Sequence, residues 1–487
     1  MDQPVGKKMT SMVSLPEHLA AIFMEAQAHD QDLPLELITL LSQMGLGGDP
    51  QLADQATNSL YRLIILPLCD DFTDHGTAVA NKVIITMLQA FLRTRAGAAA
   101  RQILTAEKLD SPTDLVERHR QLQQSKPLSQ AQGALIKKAF ILSRVTLGAD
   151  IAITSIIVQR LRQALPQAEI FLVGPEHLSR LFAGCNLRFI DFPFDRDGSL
   201  HEKFAAWPRL HHYLTEQTKG LSHREIALFD PDSRLSQLGL LPLVPVSSTY
   251  YLTSRTERAG EATLPEITNA WLERIVPDSS RALPSFWLPT SVQQEARLFF
   301  QHLPAATFTV LINFGVGNDA NKRLGITFEE ELLVALLTRP DTLVILDSGK
   351  DGPEHEAAKR LMAKIAKKGY KTAELSEKEL PDATIASGTR LLRFSGNIDA
   401  VAALIDLSHL FIGYDSCCQH LATATRTPAI ICFAGAANKR FLRRWQPSNH
   451  HGKTTTIVID KQPLTSSQRT ELINKIIKKA ASCHPKQ

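Results

Sequence analysis

The sequence contains few cysteines and no long apolar run. Six cysteines are scattered through 487 residues, which is too sparse for a disulfide framework and favours a reducing compartment. No stretch reaches the roughly 18 uncharged apolar residues that a membrane-spanning helix needs. Residues 1–23 also lack the apolar core and small-residue cleavage site of a secretory signal. We therefore expect a cytoplasmic protein.

The charge balance is close to neutral. A net charge of +4 gives no reason to expect a nucleic-acid partner. Hydrophobic residues make up 44% of the chain and charged residues 21%, which is typical of globular proteins. A chain of this length is expected to form about three domains.

Residues 1–132 carry helical patterns only. Apolar residues recur at helical spacing, each segment has a polar face, and Gly or Pro separates one segment from the next. The polar segment at 115–134, "LVERHRQLQQSKPLSQAQGA", is predicted to be a connector. We assign this region no function, and packing or oligomerisation is its default interpretation.

A strand–helix–strand pattern begins near residue 138. "AFILSRV" has the length of a strand, "IAITSIIVQRLRQALP" that of a helix, and "AEIFLVG" is a second strand. A unit of this kind, about 35 residues long, is the building block of a parallel sheet. Further strands are predicted at 187–194, 224–230 and 248–254. We place this first α/β domain at 133–285.

A segment rich in Pro and Ser, near residues 275–300, marks the next domain boundary. Strand patterns then recur at "TFTVLINFG", "TLVILDSG", "SHLFIGYD" and "PAIICFAG", separated by helical patterns. We place the second domain at 286–487, ending in a helix. The predicted fold class is α/β: two Rossmann-like domains face a cleft, after an all-helical region. Ligands of such domains bind at the carboxyl ends of the strands.

Residues 412–435, "IGYDSCCQHLATATRTPAIICFAG", concentrate several reactive side chains. A strand is predicted to end at Asp415, and a helix to begin near Ser416. The first N–H groups of a helix have no intrahelical partner and are electropositive, so those of Ser416, Cys417 and Cys418 could bind a phosphate. The simpler interpretation is that Asp415 only caps the helix and His420 only packs.

Two other interpretations of this segment remain open. Asp415, Cys417, Cys418 and His420 are all metal-ligand types, but tetrahedral zinc sites usually draw on two separated pairs of ligands, and no second Cys/His cluster is obvious in the sequence. Cys418 close to His420 could form an activated thiol, although adjacency in sequence does not place two side chains together.

The segment resembles the donor-binding segment of glycosyltransferase family 9, the heptosyltransferases of lipopolysaccharide synthesis. The matching positions are Gly413, Asp415, Ser416, His420, Leu421, Ala422, Thr427, Pro428 and Gly435, followed by "RRWQP" at 443–447. Cys417 stands where that family usually has Gly. Backbone donors survive this change, but the room for a diphosphate shrinks.

Two further segments of the second domain resemble the same family. "INFGVGNDANKR" supplies Asn313, Gly315 and Lys322, and the resemblance implies that Lys322 stabilises a departing diphosphate. The family often has Trp two residues later, where this chain has Leu324. "LDSGKDGPEHEAAKRL" supplies Glu354 as the implied ribose ligand, with Glu356 as the alternative. A solvated Lys and an exposed Glu at a helix start are the simpler interpretations.

A last segment lies in the first α/β domain. "LSRVTLGADIAITSIIVQRLRQALPQAEI" resembles the family's opening strand, its Leu-Gly-Asp loop and its long helix. The resemblance implies that Asp150, beside Gly148, is the general base. Ala149 is an insertion, which could displace the carboxylate out of hydrogen-bond reach of an acceptor. A helix-capping role is the alternative for Asp150.

The segment "DPDSR" superficially looks like a carboxylate metal motif. We interpret it instead as a loop after a strand, facing the cleft on the acceptor side. Its Asp230, Asp232 and Arg234 are then candidate acceptor ligands. A plain turn built by Asp, Pro and Ser is the equal alternative.

The resemblance covers about residues 138–460. It implies a GT-B fold and an inverting, metal-independent transfer of a sugar, a heptose in the family. The donor would be a nucleotide diphosphate sugar such as ADP-heptose, and the acceptor a hydroxyl of a glycan or of a lipid-linked glycan. No cofactor is implied. The transition state would have oxocarbenium character.

The implied roles divide between the two domains. The catalytic candidates are Asp150 and Lys322. The candidate donor-binding residues are Asn313, Gly315, Lys322, Glu354, Gly413, Asp415, Ser416, Cys417, Cys418 and His420. The acceptor-side candidates are Gly148, Asp230, Asp232 and Arg234. No residue is assigned to a metal.

Two competing functions share this fold. A nucleotide-sugar epimerase would need no acceptor. A catalytically degenerate protein would bind a nucleotide or glycan and recruit partners through its helical region. The inserted Ala149 and the substituted Cys417 support the degenerate interpretation.

A basic cluster at Lys439, Arg440, Arg443 and Arg444 has two interpretations. It could contact an anionic lipid-linked acceptor or the surface of the inner membrane, as a peripheral protein would. It could equally be a solvated rim, which we favour slightly.

Overall fold

The computed structural model describes residues 14–29, 31–124, 126–256, 262–317, 319–448 and 452–483. These residues form a helical region and two α/β domains, each built on its own parallel sheet. Within the described ranges, no helix is both long and apolar enough to cross a bilayer. All six cysteines are free thiols.

The helical region precedes the first strand. Its helices are α1 (Leu15–Ala28), α2 (Leu35–Gly45), α3 (Pro50–Asn58), α4 (Leu66–Asp70), α5 (Asp74–Leu92), α6 (Ala98–Ala106), α7 (Pro112–Leu122) and α8 (Gln130–Leu135), with a π-helical segment at Ser59–Ile65 between α3 and α4. Helices α1, α7 and α8 each begin with a capping box. In it, the side chain of a serine accepts from the backbone N–H three residues later, and the side chain of that later residue accepts from the backbone N–H of the serine. Local sequence therefore fixes where these helices start.

The first α/β domain contains a five-stranded parallel sheet in the order β3-β2-β1-β4-β5. Its elements are β1 (Lys138–Leu142), α9 (Leu147–Ala149), a π-helical turn (Asp150–Thr154), α10 (Ser155–Ala164), β2 (Glu169–Gly174), α11 (Glu176–Phe182), β3 (Arg188–Asp191), α12 (Leu200–Gln217), β4 (Ile226–Asp230), β5 (Thr249–Tyr251) and α13 (Leu264–Ile275).

The second α/β domain contains a seven-stranded parallel sheet in the order β12-β11-β10-β6-β7-β9-β8. Its elements are α14 (Thr290–Gln301), β6 (Phe308–Asn313), α15 (Ile326–Leu337), β7 (Thr342–Asp347), α16 (Gly352–Lys367), β8 (Lys371–Ser376), β9 (Thr389–Ser395), α17 (Ile398–Leu407), β10 (Leu410–Tyr414), α18 (Cys417–Thr425), β11 (Ala429–Ala434), α19 (Lys439–Trp445), β12 (Thr454–Ile459) and α20 (Ser466–Ser482).

Alternation along β1 explains how the layers pack. Ala139 and Ile141 face α10 and α13, whereas Phe140 and Leu142 face the helical region and α12. Phe91 of α5 stacks on Phe204 of α12, with ring centroids 5.5 Å apart. The helical region therefore shares a hydrophobic core with one face of the first sheet.

The predicted fold class is confirmed, because two parallel-sheet domains follow a helical region. The segment predicted as a polar connector is largely helical instead, since α7 packs Leu115 into that shared core and also buries Leu122. The sequence patterns also missed α12, which contains Pro208 in its interior, and the strands β8, β9 and β12.

Candidate active site

Three neighbouring strands of the second sheet end at polar side chains. β6 ends at Asn313, β7 ends at Asp347, and Asp415 follows β10. The chain runs from β6 to β7 on one side and later returns to β10 on the other, so the sheet has its switch point here, where open α/β sheets bind ligands. The sequence analysis did not identify Asp347. Its position resembles that of Asp415, because β7 ends in an Asp and β10 is directly followed by one.

Asn313 ties these strand ends together. Its Nδ2 donates to Asp347 Oδ2 at 2.8 Å, and its Oδ1 accepts from Gly315 N at 3.1 Å and from Ser416 Oγ at 3.4 Å. Burial raises the pKa of Asp347 to about 6. Gly413 of β10 is packed so closely that a Cβ there would lie 3.0 Å from the Asn313 carbonyl oxygen.

Lys322 lies on a short 3-10 helix, Ala320–Lys322, and reaches the end of β10. Its Nζ lies 2.5 Å from Asp415 Oδ2 and 5.1 Å from the ring centroid of Phe441. Gln419 Nε2 donates to the other oxygen of Asp415 at 2.6 Å. The side chain of Lys322 is 19% exposed and that of Asp415 is 6% exposed. The lysine and aspartate of the two predicted donor segments are thus brought into one ion pair.

The N-terminus of α18 lies next to this ion pair. Ser416 is its N-cap residue but forms no side-chain hydrogen bond to the free N–H groups of the first turn. These groups are electropositive and can donate to an anion. The site therefore combines an ammonium group with an uncapped helix start, as phosphate-binding sites do.

Burial disfavours an activated thiol in this segment. Cys418 is buried, and its hydrogen bond with Cys417, together with burial, raises the pKa of its thiol well above the usual value, which suppresses the nucleophilic thiolate. Burial lowers the pKa of His420 to about 4, so its imidazole is neutral, and it packs against Trp445 with ring centroids 6.0 Å apart. Among the residues that the structure describes, no three His, Cys, Asp or Glu side chains are grouped to hold a metal ion.

Glu354 lies in the first turn of α16 and contacts the loop after β6. Its Oε1 accepts from Val316 N at 3.0 Å and from Gly317 N at 3.1 Å. A Cβ at Gly315 would lie 2.5 Å from Glu354 Oε2, so only glycine permits this approach. The alternative, Glu356, is exposed. Of the two glutamates, Glu354 therefore lies at the edge of the candidate donor site.

Asp150 lies behind the loop that follows β1. Its Oδ2 accepts from Ser143 Oγ at 2.8 Å, and its Oδ1 accepts from Arg144 N at 2.9 Å and from Thr154 Oγ1 at 2.7 Å. The residue is 1% exposed, and burial raises its pKa. Asp150 begins a π-helical turn, Asp150–Thr154, in which each hydrogen bond spans one residue more than in an α-helix.

The other acceptor-side candidates lie at the end of β4 and just after it, where Asp230 and Asp232 are buried and Arg234 is partly buried. Asp230 accepts from Ser233 N at 2.7 Å, and burial raises its pKa to about 6. Asp232 pairs with Arg255 and accepts from Tyr251 OH at 2.8 Å. Burial lowers the pKa of the neighbouring Arg234 to about 10. Sequence reasoning missed Arg255, since no motif marked it.

The two domains meet where their candidate sites lie. A Cβ at Gly148 would lie 2.9 Å from His420 Cδ2 and 3.4 Å from Cys417 Cα, so the loop after β1 contacts the first turn of α18. Gly148 is thereby brought to the candidate donor site, whereas Asp150 stays buried on its own side of the loop.

The basic cluster of α19 contacts both the helical region and the first α/β domain. Arg440 Nη2 lies 2.6 Å from Asp71 Oδ1 of the helical region, and Asn438 Nδ2 lies 3.3 Å from the Asp70 carbonyl oxygen. Arg444 Nη2 donates to the Thr256 carbonyl oxygen of the first domain at 3.2 Å. Two of its four basic residues, Arg440 and Arg444, are thus engaged in contacts between domains.

The two parallel-sheet domains have a fold like that of the two-domain GT-B glycosyltransferases. A glycosyltransferase of family 9 from Veillonella parvula has a similar structure, with a TM-score of 0.50 and 16% sequence identity, over 71% of this chain and 97% of that one. The resemblance to family 9 is therefore confirmed at the level of the fold.

Two Escherichia coli structures are also similar. ADP-heptose lps heptosyltransferase II matches 71% of this chain and 99% of its own, with 15% identity and a TM-score of 0.47. Heptosyltransferase WaaC with ADP matches 70% of this chain and 99% of its own, with 13% identity and a TM-score of 0.44. No family model matches the sequence, and no curated protein matches it either.

Proposed function

We propose that this protein transfers a sugar from a nucleotide diphosphate sugar to a hydroxyl of a glycan or lipid-linked acceptor. One observation carries the proposal. The Lys322 ammonium group and the uncapped N-terminus of α18 lie together at the switch point of the second sheet, facing Gly148 of the first domain. Both can donate hydrogen bonds to an anion. They lie at the edge of the second sheet where nucleotides bind in sheets of this kind.

The proposed reaction is an inverting displacement. The acceptor oxygen attacks the anomeric carbon and releases its proton to solvent, the bond from that carbon to the diphosphate oxygen breaks, and the bonding electrons leave with the nucleoside diphosphate. Negative charge grows on the diphosphate as the bond breaks. Lys322 and the N–H groups at the start of α18 stabilise that charge, and a fixed donor stabilises a transition state more than a mobile water does.

For the nucleoside, we propose a place beside Glu354. Its carboxylate is oriented by the N–H groups of Val316 and Gly317, at the edge of the same strand ends. A carboxylate held in this way can accept from ribose hydroxyls. The Escherichia coli neighbours are described as ADP-heptose enzymes or contain ADP, so ADP and ADP-heptose are the first ligands to test.

For Asp150, we propose a positioning role in place of the general base that the resemblance implies. Both carboxylate oxygens already accept hydrogen bonds, and the residue is 1% exposed. A general base must reach the proton that it removes. Asp150 instead holds the loop that carries Gly148 against α18.

The second candidate function is a binding protein without transferase activity. The same burial of Asp150 favours it, because the expected base is then missing from the cleft. An epimerase differs from both, since it would convert a nucleotide sugar without any acceptor. Product analysis with and without a glycan acceptor separates the three.

The first experiment is thermal unfolding with nucleoside diphosphates and nucleotide sugars, with and without EDTA. A ligand at a hundred times its dissociation constant adds about 2.7 kcal/mol to the free energy of unfolding. We expect one nucleotide family to raise the midpoint and EDTA to leave that shift unchanged. If no nucleotide raises the midpoint, the proposed donor site is wrong. A shift that EDTA abolishes would overturn metal independence alone.

A further inference from the structure

The turn between α4 and α5 contacts the start of α19 in the second domain. Asp71 binds Arg440 twice, because its carbonyl oxygen accepts from Arg440 Nε and its Oδ1 accepts from Arg440 Nη2, both at 2.6 Å. Asn438, the N-cap residue of α19, donates from Nδ2 to the Asp70 carbonyl oxygen at 3.3 Å, and its Oδ1 accepts from Phe441 N at 2.7 Å. One amide side chain therefore both begins α19 and binds the α4–α5 turn.

Phe72, in this turn, has a backbone conformation that is rare for a large side chain. Its φ is +55°, in the left-handed region, where a bulky residue is strained. The residue is 2% exposed, its ring centroid lies 6.4 Å from that of Phe441, and Arg444 Cζ lies 5.5 Å from its ring centroid. Backbone strain persists where the surrounding structure stabilises it, and it is concentrated at functional sites. The strained residue is thus part of the contact between the helical region and α19.

Phe441 also contacts the candidate catalytic lysine. Lys322 Nζ lies 5.1 Å from the centroid of the Phe441 ring, within the range at which the face of an aromatic ring attracts a cation. The same ammonium group pairs with the carboxylate of Asp415. That carboxylate would repel an incoming diphosphate, whereas the ring carries no net charge. Phe441 is therefore suited to hold the ammonium group in place while an anion is bound.

These contacts form two steps, from Phe72 to Phe441 and from Phe441 to Lys322. We propose that the helical region positions Lys322 at the donor diphosphate, with Phe72 and Phe441 as positioning residues. The inference rests on the proposed transfer, in which Lys322 stabilises the departing diphosphate. A displacement of about 1 Å can lower a rate by about 10², so a small shift of the ring would have a large effect on turnover. The helical region then forms part of the active site.

The first test is a pair of substitutions in the full chain. Phe72→Leu and Phe441→Leu each keep an apolar side chain and remove the aromatic ring. We expect kcat, measured as release of nucleoside diphosphate in the presence of acceptor, to fall about tenfold in Phe441→Leu and about threefold in Phe72→Leu. Phe441→Tyr keeps the face of the ring and should restore kcat to within about twofold of the unmodified protein.

A cycle of substitutions with Lys322→Met distinguishes positioning from a general loss of structure. If Phe441 acts through the ammonium group, Phe441→Leu should have little effect on kcat in the Lys322→Met background, because the group that it positions is already gone. A structural role would lower kcat by the same factor in both backgrounds, and that result would overturn the proposal. An unchanged kcat in Phe441→Leu alone would overturn it as well.

Phe91→Leu is the matched control. Phe91 is also a buried phenylalanine of the helical region, but its ring stacks on Phe204 of α12, with centroids 5.5 Å apart. Its substitution should lower the unfolding midpoint and leave kcat unchanged. If Phe91→Leu and Phe72→Leu lower kcat equally, any loss of packing in the helical region lowers turnover, and the specific role of Phe72 is refuted.

Nucleotide binding separates this inference from the proposed transfer. Titration calorimetry with ADP and with UDP should show about threefold weaker binding in Phe441→Leu, and no such effect of this substitution in the Lys322→Met background. If this coupling is found but no acceptor yields transfer, the proposed transfer is wrong and the positioning of Lys322 stands. If a nucleotide binds without the coupling, the positioning is wrong and the donor site stands. If neither nucleotide binds, both proposals fail.

Discussion

The sharpest prediction concerns the ion pair between Lys322 and Asp415. Replacing Lys322 by Met removes an ammonium group that lies 2.5 Å from a carboxylate of 6% exposure. Removing one partner of a buried pair costs about 3–5 kcal/mol. Here the lysine is 19% exposed and Asp415 keeps the hydrogen bond from Gln419, so we expect a loss on the order of 2 kcal/mol.

The effect on turnover should be separate and larger. If Lys322 stabilises the departing diphosphate, its loss should lower kcat by about 10²–10³, as the loss of a fixed donor to a developing anion does in other enzymes. The assay is release of nucleoside diphosphate from a nucleotide sugar in the presence of acceptor. Lys364→Met is the control, because Lys364 pairs with Glu330 at 2.6 Å on the far part of α16.

A second substitution distinguishes stability from catalysis. Asp415→Asn combined with Lys322→Met removes both charges, so the double variant should recover most of the stability lost by the single variant. It should not recover turnover. Unchanged turnover in Lys322→Met would remove Lys322 from the mechanism. Recovery of turnover in the double variant would show that the lysine acts only by neutralising Asp415.

Three further predictions address other parts of the site. Gly148→Ala places a methyl group 2.9 Å from His420, so thermal unfolding should show a loss of about 1–3 kcal/mol, whereas Gly48→Ala, with open space around it, should show none. Asp150→Asn would place an amide N–H group against one of the donors that now bond to the carboxylate, so the variant should lower both the unfolding midpoint and kcat. A loss of kcat alone, with a normal midpoint, would restore Asp150 as the base. The folded-state pKa of Asp347, raised to about 6, means that the folded protein binds this proton more tightly than the unfolded chain, so the free energy of unfolding should fall as pH rises from about 4 to about 6. Asp347→Asn should flatten that fall in denaturant titrations at several pH values, and an unchanged slope would contradict the assignment.

The sequence predicted those parts of the fold where local pattern and tertiary packing agree. The strand before Asp415 and the helix after it lie as predicted, because an apolar run of strand length and a helix start are both local signals. Helix α12 was missed because Pro208 interrupts its pattern, yet burial of Phe204 and Trp207 stabilises it. The formation of α12 therefore depends on tertiary packing and not on a local sequence pattern.

The candidate site divides in the same way. Lys322 and Asp415 were each identified from a motif, but nothing local indicates that residues 93 positions apart form an ion pair. The burial of Asp150 depends on Ser143 and Thr154, which surround it only once the π-helical turn has formed.

The contact of α19 with the helical region has a consequence for how the cleft responds to its medium. Ion pairs and close packing both join the parts of the chain that would separate if the cleft opened: Arg440 pairs with Asp71 and Arg180 with Asp399, while Gly148 packs on His420. Dissolved salt screens the first, with a Debye length of about 8 Å at physiological ionic strength, and leaves the second untouched. Rising ionic strength should therefore weaken the ion pairs between the domains and leave the packing of Gly148 on His420 unchanged.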